Sequence, residues 1–204
     1  SETLIGGVVS AEAEASKLDA VNEMLSATGS LRTNSLGATR PDVILACQIL
    51  KQVDRSLQSE GWHFNSQYNQ TFLSNASDEV DMPVDVFEVR ESSGTDSPIT
   101  VRRTADDLAI RSRKLYNALT DSFTFEADVK LNVVRRLPFE DLPQYARNFI
   151  TATATTEFYE VVRGATSPRA AEKEQRTRSA FLAAEYRNTD ANFFSGVDSS
   201  WVYR

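Results

Sequence analysis

Apolar positions recur every three or four residues at both ends of the chain and every second residue in its middle. The first periodic run predicts a helix from Ser10 to Thr28. Ser10 is its N-cap, and Glu12 and Glu14 sit at the positive end of the helix dipole. Ala11, Ala15, Leu18, Val21 and Leu25 form its stripe, and Gly29 is placed to leave the helix through a left-handed residue. Pro41 opens a second helix, in the first turn, where its missing N–H costs nothing. Ala46, Ile49, Val53 and Leu57 make one row, Val43, Cys47 and Leu50 widen it, and Gly61 ends it.

The period then changes to two. Trp62, Phe64 and Ser66 alternate with His63 and Asn65, which predicts a short half-buried strand, and residues 67–82 read as a polar connection. Val84, Val86 and Glu88 alternate with Asp85, Phe87 and Val89, and Ser92 to Pro98 is a turn cluster. Further short strands are expected at Ile99–Arg103, Leu108–Ile110, Lys114–Asn117 and Phe123–Phe125. The longest runs from Ala127 to Arg136, with Val129, Leu131 and Val133 on one face. Strands at this spacing predict an antiparallel meander or small barrel.

Helical spacing returns near Phe139. Leu142, Tyr145, Phe149, Ala152, Thr156 and Tyr159 form one row of a third helix, and Ala146, Ile150, Ala154, Phe158 and Val161 a second beside it. A helix apolar on two sides is central in its domain or shared with a neighbour, so Tyr145 and Phe149 are candidate interface residues. Gly164 ends it, and Ser167 and Pro168 start a fourth helix reaching about Asn188, its other face rich in Glu, Lys and Arg. Residues 189–204 lack helical periodicity yet carry Phe193, Phe194, Trp201, Val202 and Tyr203. Such a tail is expected to dock, on its own domain or on a partner, with Phe193, Phe194, Trp201 and Tyr203 as anchors. The fold class is α+β. A four-helix bundle-like domain (1–61 plus 138–188) carries an inserted antiparallel β domain (62–137), and an extended docking tail (189–204) follows.

Composition narrows the function. The chain has 204 residues, 41% of them hydrophobic and 25% charged, with a formal net charge of −7. The acid excess lies in residues 1–100, which carry 6 basic and 15 acidic side chains. General DNA binding needs clustered cations, so this balance argues against it. The single cysteine, Cys47, sits in an apolar run and reads as a small core thiol. It permits no internal disulfide, and with His63 as the only histidine there is no Cys/His zinc set. No apolar run is long enough to span a membrane, and the acidic, polar start is no signal peptide, so synthesis in a cytoplasm is expected and the Asn69 and Asn75 glycosylation triplets are chance.

Candidate chemistry is sparse. No phosphate loop or nucleophile elbow occurs. The acid pairs Asp78-Glu79, Asp106-Asp107 and Glu140-Asp141 are what 29 acids give by chance, and Glu140-Asp141 suits the first turn of a helix. Basic clusters at Arg102-Arg103, Arg111-Arg113-Lys114 and Arg135-Arg136 read as strand-edge charges. No catalytic, cofactor or metal residue is assigned, and no enzyme activity is expected.

Four segments in order carry a resemblance: Leu18 to Ala27 with Gly29, Gly61-Trp62-His63-Phe64-Asn65, Lys114-Leu115-Tyr116-Asn117, and Leu137-Pro138-Phe139-Glu140-Asp141-Leu142-Pro143. Over roughly residues 17–194 the chain resembles the tail tubular protein A family, head-to-tail adaptors of short-tailed phages. The resemblance implies a virion protein forming a twelve-fold homo-oligomeric ring. Its neighbours would be the portal protein, the tubular nozzle (tubular protein B) and tail fibres, and its lumen would pass DNA without specific binding. It places the inserted β domain outward from the ring, and with no apolar run long enough to span a bilayer no membrane association is expected. Some relatives are said to degrade wall material or sugars, so the alternative reading is a tail-associated cell-wall or glycan hydrolase. No motif here carries that chemistry over.

Overall fold

The computed structural model describes residues 16–37, 39–92, 99–102, 113–125 and 127–196, with the side chains of Arg102 and of residues 189–196 left aside. The chain divides into two compact units, one of residues 1–57 with 138–204 and the other of residues 58–137. Its class is mixed α+β.

In the first unit, helix α1 is described over residues 16–27. The expected N-cap and the first residues of the predicted stripe lie outside the described residues. At its far end Gly29 has φ +76°. Its N–H donates to the Ser26 carbonyl at 3.2 Å, and Ser30 N–H donates to the Leu25 carbonyl at 2.9 Å, the paired closure of a Schellman motif. Arg163 donates to the Thr28 carbonyl beside this turn. Helix α2 (Pro41–Ser59) begins at the predicted proline. Ala46, Ile49, Val53 and Leu57 are buried as expected, with Val43 and Leu50 beside them.

The third helix starts later than its apolar rows suggest. Phe139–Asp141 is a separate 3-10 turn, and helix α3 spans Gln144–Arg163. Pro143 is the cause, because a residue before proline is pushed out of the α region, and Leu142 sits at φ −69°, ψ 146°. Gly164, at φ +67°, closes α3 as predicted. Buried threonines fit inside α3 because their hydroxyls fold back on the helix. Thr155 donates to the Thr151 carbonyl at 2.7 Å and Thr156 to the Ala152 carbonyl at 3.2 Å.

Helix α4 runs from Pro168 to Gly196. The expected end near Asn188, with an extended tail from residue 189, is corrected for residues 189–196. No proline or glycine interrupts the chain before Gly196, and extending a formed helix is cheaper than ending it. Trp201 and Tyr203 lie outside the described residues. Phe158 and Phe181 are fully buried in this unit with Met24, Leu25 and Ile150.

The second unit holds β1 (Ser66–Phe72), β2 (Val86–Glu91), β3 (Ile99–Arg102), β4 (Lys114–Asn117) and β5 (Val129–Arg135). They form a three-stranded antiparallel sheet in the order β1-β5-β2 and a separate β3-β4 hairpin, so the meander or barrel is not formed among the described residues. The longest predicted strand, β5, is central. Leu131 and Val133 face the core with Val80, Met82, Val86, Val89, Ile99 and Leu115.

Three strand expectations change. Residues 63–65 form a 3-10 turn, because Asn65 binds backbone on three sides. The polar stretch after it is a strand, β1, exposed along most of its length and paired to β5 on one edge. It carries a bulge between Gln67 and Gln70, where Asn69 adopts φ +55° and its N–H donates to Asn132 Oδ1 at 3.0 Å. Phe123–Phe125 is a bridged turn, held by isolated pairings of Ser122 with Asn117 and Thr124 with Glu79. Leu108–Ile110 lies outside the described residues.

Candidate functional site

Helices α1, α3 and α4 enclose a cleft of about 600 Å³. Its lining includes Ala20 and Phe139 together with polar residues: Asp19 and Glu23 from α1, Gln144, Arg147 and Asn148 from the start of α3, and Lys173 from α4. The charges are cross-braced. Lys173 Nζ lies 2.5 Å from Glu23 Oε1. Arg147 Nη1 donates to Ser16 Oγ at 3.2 Å and its Nη2 to Gln144 Oε1 at 2.8 Å. The Lys173–Glu23 pair fastens α4 to α1 and the Arg147–Ser16 bond fastens α3 to α1, while Gln144 steadies Arg147 within α3.

Nearby, Lys17 Nζ stands 3.0 Å from Glu140 Oε2. Burial raises the Glu140 pKa, but the hydrogen bond and charge of Lys17, its own backbone and Arg147 outweigh that, and the net shift is downward. A carboxyl held ionised is a poor proton donor at neutral pH, so this member of an acid pair acts as an ion-pair partner.

Several of the other candidate acids and bases are also occupied. Glu79 pairs with Lys114, and Arg135 Nη1 lies 3.5 Å from Asp85 Oδ2. Arg113 Nη1 donates to the carbonyls of Pro83 and Val84 at 3.3 and 3.2 Å. Asp106, Asp107, Arg103 and Arg111 lie outside the described residues. Cys47 is half-buried, and burial pushes its thiol pKa up, which disfavours a thiolate. Among the described residues no group of three or more His, Cys, Asp or Glu is placed to hold a metal, and no helix is long and apolar enough to cross a membrane.

The candidate interface residues Tyr145 and Phe149 are half-buried against α4. Phe149 meets Phe181 with ring centroids 5.2 Å apart, and Tyr145 meets it at 5.8 Å. Tyr145 O–H donates to Glu185 Oε1 at 2.7 Å, and Asn188 Nδ2 donates to the Tyr145 oxygen at 3.3 Å. Burial first, and then the Glu185 carboxylate, push the Tyr145 pKa well up, so the phenol stays protonated. The chain itself thus covers most of both α3 rows, with Val161 left 63% exposed. Phe193 and Phe194 fall on the last turns of α4.

The periodic pattern missed Glu185, a carboxylate only 5% exposed on a helix whose neighbouring positions look solvated. It also missed Gln58 and Asn65, which are fully buried polar residues. A polar side chain that binds backbone leaves no periodic trace. The only signal for these was Asn65, which ends one of the quoted segments.

A family model described as Tail tubular protein matches residues 18–193. The chain is also similar to Tail tubular protein A of Klebsiella phage KP34, at 29% identity over 174 residues, covering 84% of this chain and 88% of that protein.

Proposed function

The chain belongs to the tail tubular protein family, the structural components of phage tails, and from that premise we propose that it is a head-to-tail adaptor. In this reading identical subunits close into a ring, twelve-fold in the family it resembles. The ring sits beneath the portal, above the tubular nozzle and close to the tail fibres, and its lumen is part of the DNA-ejection channel. The helical unit forms the ring and the β unit faces outward. The observation that carries the proposal is the family match over residues 18–193, which takes in residues of both compact units.

The physics of the chain supports the reading. A ring of subunits each at −7 presents acids to passing DNA, which then slides without the counterion release that would make it stick. Of the Lys and Arg in the three basic clusters, Arg113, Lys114 and Arg135 have protein partners. No enzymatic role is proposed. Purified subunit mixed with portal should co-sediment with it as a stoichiometric complex. Sedimentation of the two as separate species would remove the adaptor reading.

A further inference from the structure

We propose that Gln58 and Asn65 form a hydrogen-bond latch that joins the two chain segments at the root of the β unit, so that its entry and exit act as one paired stem. Gln58 is 0% exposed, and both ends of its amide are used by one residue 79 positions away. Its Oε1 accepts the Leu137 N–H at 2.7 Å, and its Nε2 donates to the Leu137 carbonyl at 3.0 Å. This is the two-bond exchange of an antiparallel strand pair, made by a side chain. Asn65 is 1% exposed and repeats the device one step inward. Its Nδ2 donates to the Gln58 carbonyl at 2.7 Å and to the Arg135 carbonyl at 3.0 Å, while its Oδ1 accepts the Trp62 N–H at 2.8 Å. Next to it the Arg136 N–H donates to the Asp85 carbonyl at 2.6 Å.

The unit begins at Gln58 and ends at Leu137, so the latch spans its first and last residues. Two single strands leaving a domain independently would be free to twist and part. The last turn of α2 and the segment at 135–137, bonded through Gln58 and Asn65, resist both, and a buried amide that loses its partner keeps the desolvation penalty. The latch thereby holds the first and last residues of the β unit together, whatever that unit binds. It stands independently of the adaptor reading.

The Arg135–Arg136 peptide bond supplies the test, because its carbonyl accepts from Asn65 and its N–H donates to Asp85. In the full-length chain that bond should resist trypsin. Gln58→Leu, close in volume and unable to bond Leu137, should raise cleavage after Arg135 or Arg136 by about tenfold or more, the effect of losing two buried hydrogen bonds from a local opening equilibrium. Asn65→Ala should do the same, and Gln58→Glu, which keeps the acceptor for Leu137 N–H, should give a smaller rise. Cleavage at sites far from the root, such as Arg169 and Arg178 on α4, should stay at the wild-type rate. Unchanged cleavage at Arg135–Arg136 in the Gln58→Leu and Asn65→Ala chains would overturn the latch. So would a parallel rise at every site, since that reports loss of fold rather than release of the stem.

Discussion

Tyr145 shows how one side chain serves two environments. Its ring packs on Phe181 and its hydroxyl supplies a hydrogen bond to the buried carboxylate of Glu185. Tyr145→Phe keeps the ring and withdraws that bond, so denaturant unfolding should show a loss of roughly 1.5–3 kcal/mol, the range for hydrogen bonds to charged groups. Glu140 gives a pH-dependent counterpart. Its folded pKa lies below the ordinary carboxylate value, so its contribution is present above about pH 4 and is lost as pH falls through the folded value. Glu140→Gln should therefore lower stability near pH 7 by about 0.2–1 kcal/mol, as for a partly exposed pair, and the difference should vanish in acid. Thermal melts of both chains at pH 7 and pH 3 would check this. Residues of this kind were the least legible from sequence. Val133 announces its burial by alternation with Asn132, whereas Gln58 and Glu185 become core residues only through partners 79 and 40 positions distant.

Elements divide by how they are stabilised. Helices α2 and α3 carry their own signals, and their burial follows the rows read from spacing, because a stripe that must be covered is written in the order of residues. Gly29, Gly61 and Gly164 all take positive φ at ends expected from sequence, since only glycine adopts that geometry without strain. Strand β1 is the opposite case. Its residues are polar and mostly exposed, it exists through backbone bonds to β5, and nothing in its own alternation marks it. The same lack of periodicity hid the last turns of α4. Those turns yield a prediction: a chain ending at Asn188 retains the Tyr145 contacts, so its melting temperature should stay within a few degrees of the full chain. Under the adaptor reading its association with portal or neighbouring subunits should weaken, because Phe193, Phe194, Trp201 and Tyr203, the proposed aromatic anchors, are removed. Circular dichroism melts and sedimentation with portal would separate the two effects; unfolding of the truncated chain would assign the segment to the core of its own subunit.

For the whole molecule, the mixed α+β class and the family were legible, because the switch of period from 3.6 to 2 and back divides the chain, and four segments in order carry the resemblance. The arrangement of strands was not, since the order β1-β5-β2 depends on pairings distant in sequence, such as Ser66 with Val134 and Glu91 with Leu131, that leave no local mark. Assembly is the claim on which the functional account turns. An acidic subunit that forms a conduit should neither retain DNA at physiological salt nor remain single when its neighbour in the particle is present. Native mass spectrometry of the purified chain, alone and with its portal protein, tests this most directly. The account predicts that adding portal produces a closed assembly with many copies of this 22.7 kDa chain, twelve in the family-like case. A chain that stays monomeric at every ratio of portal would contradict it.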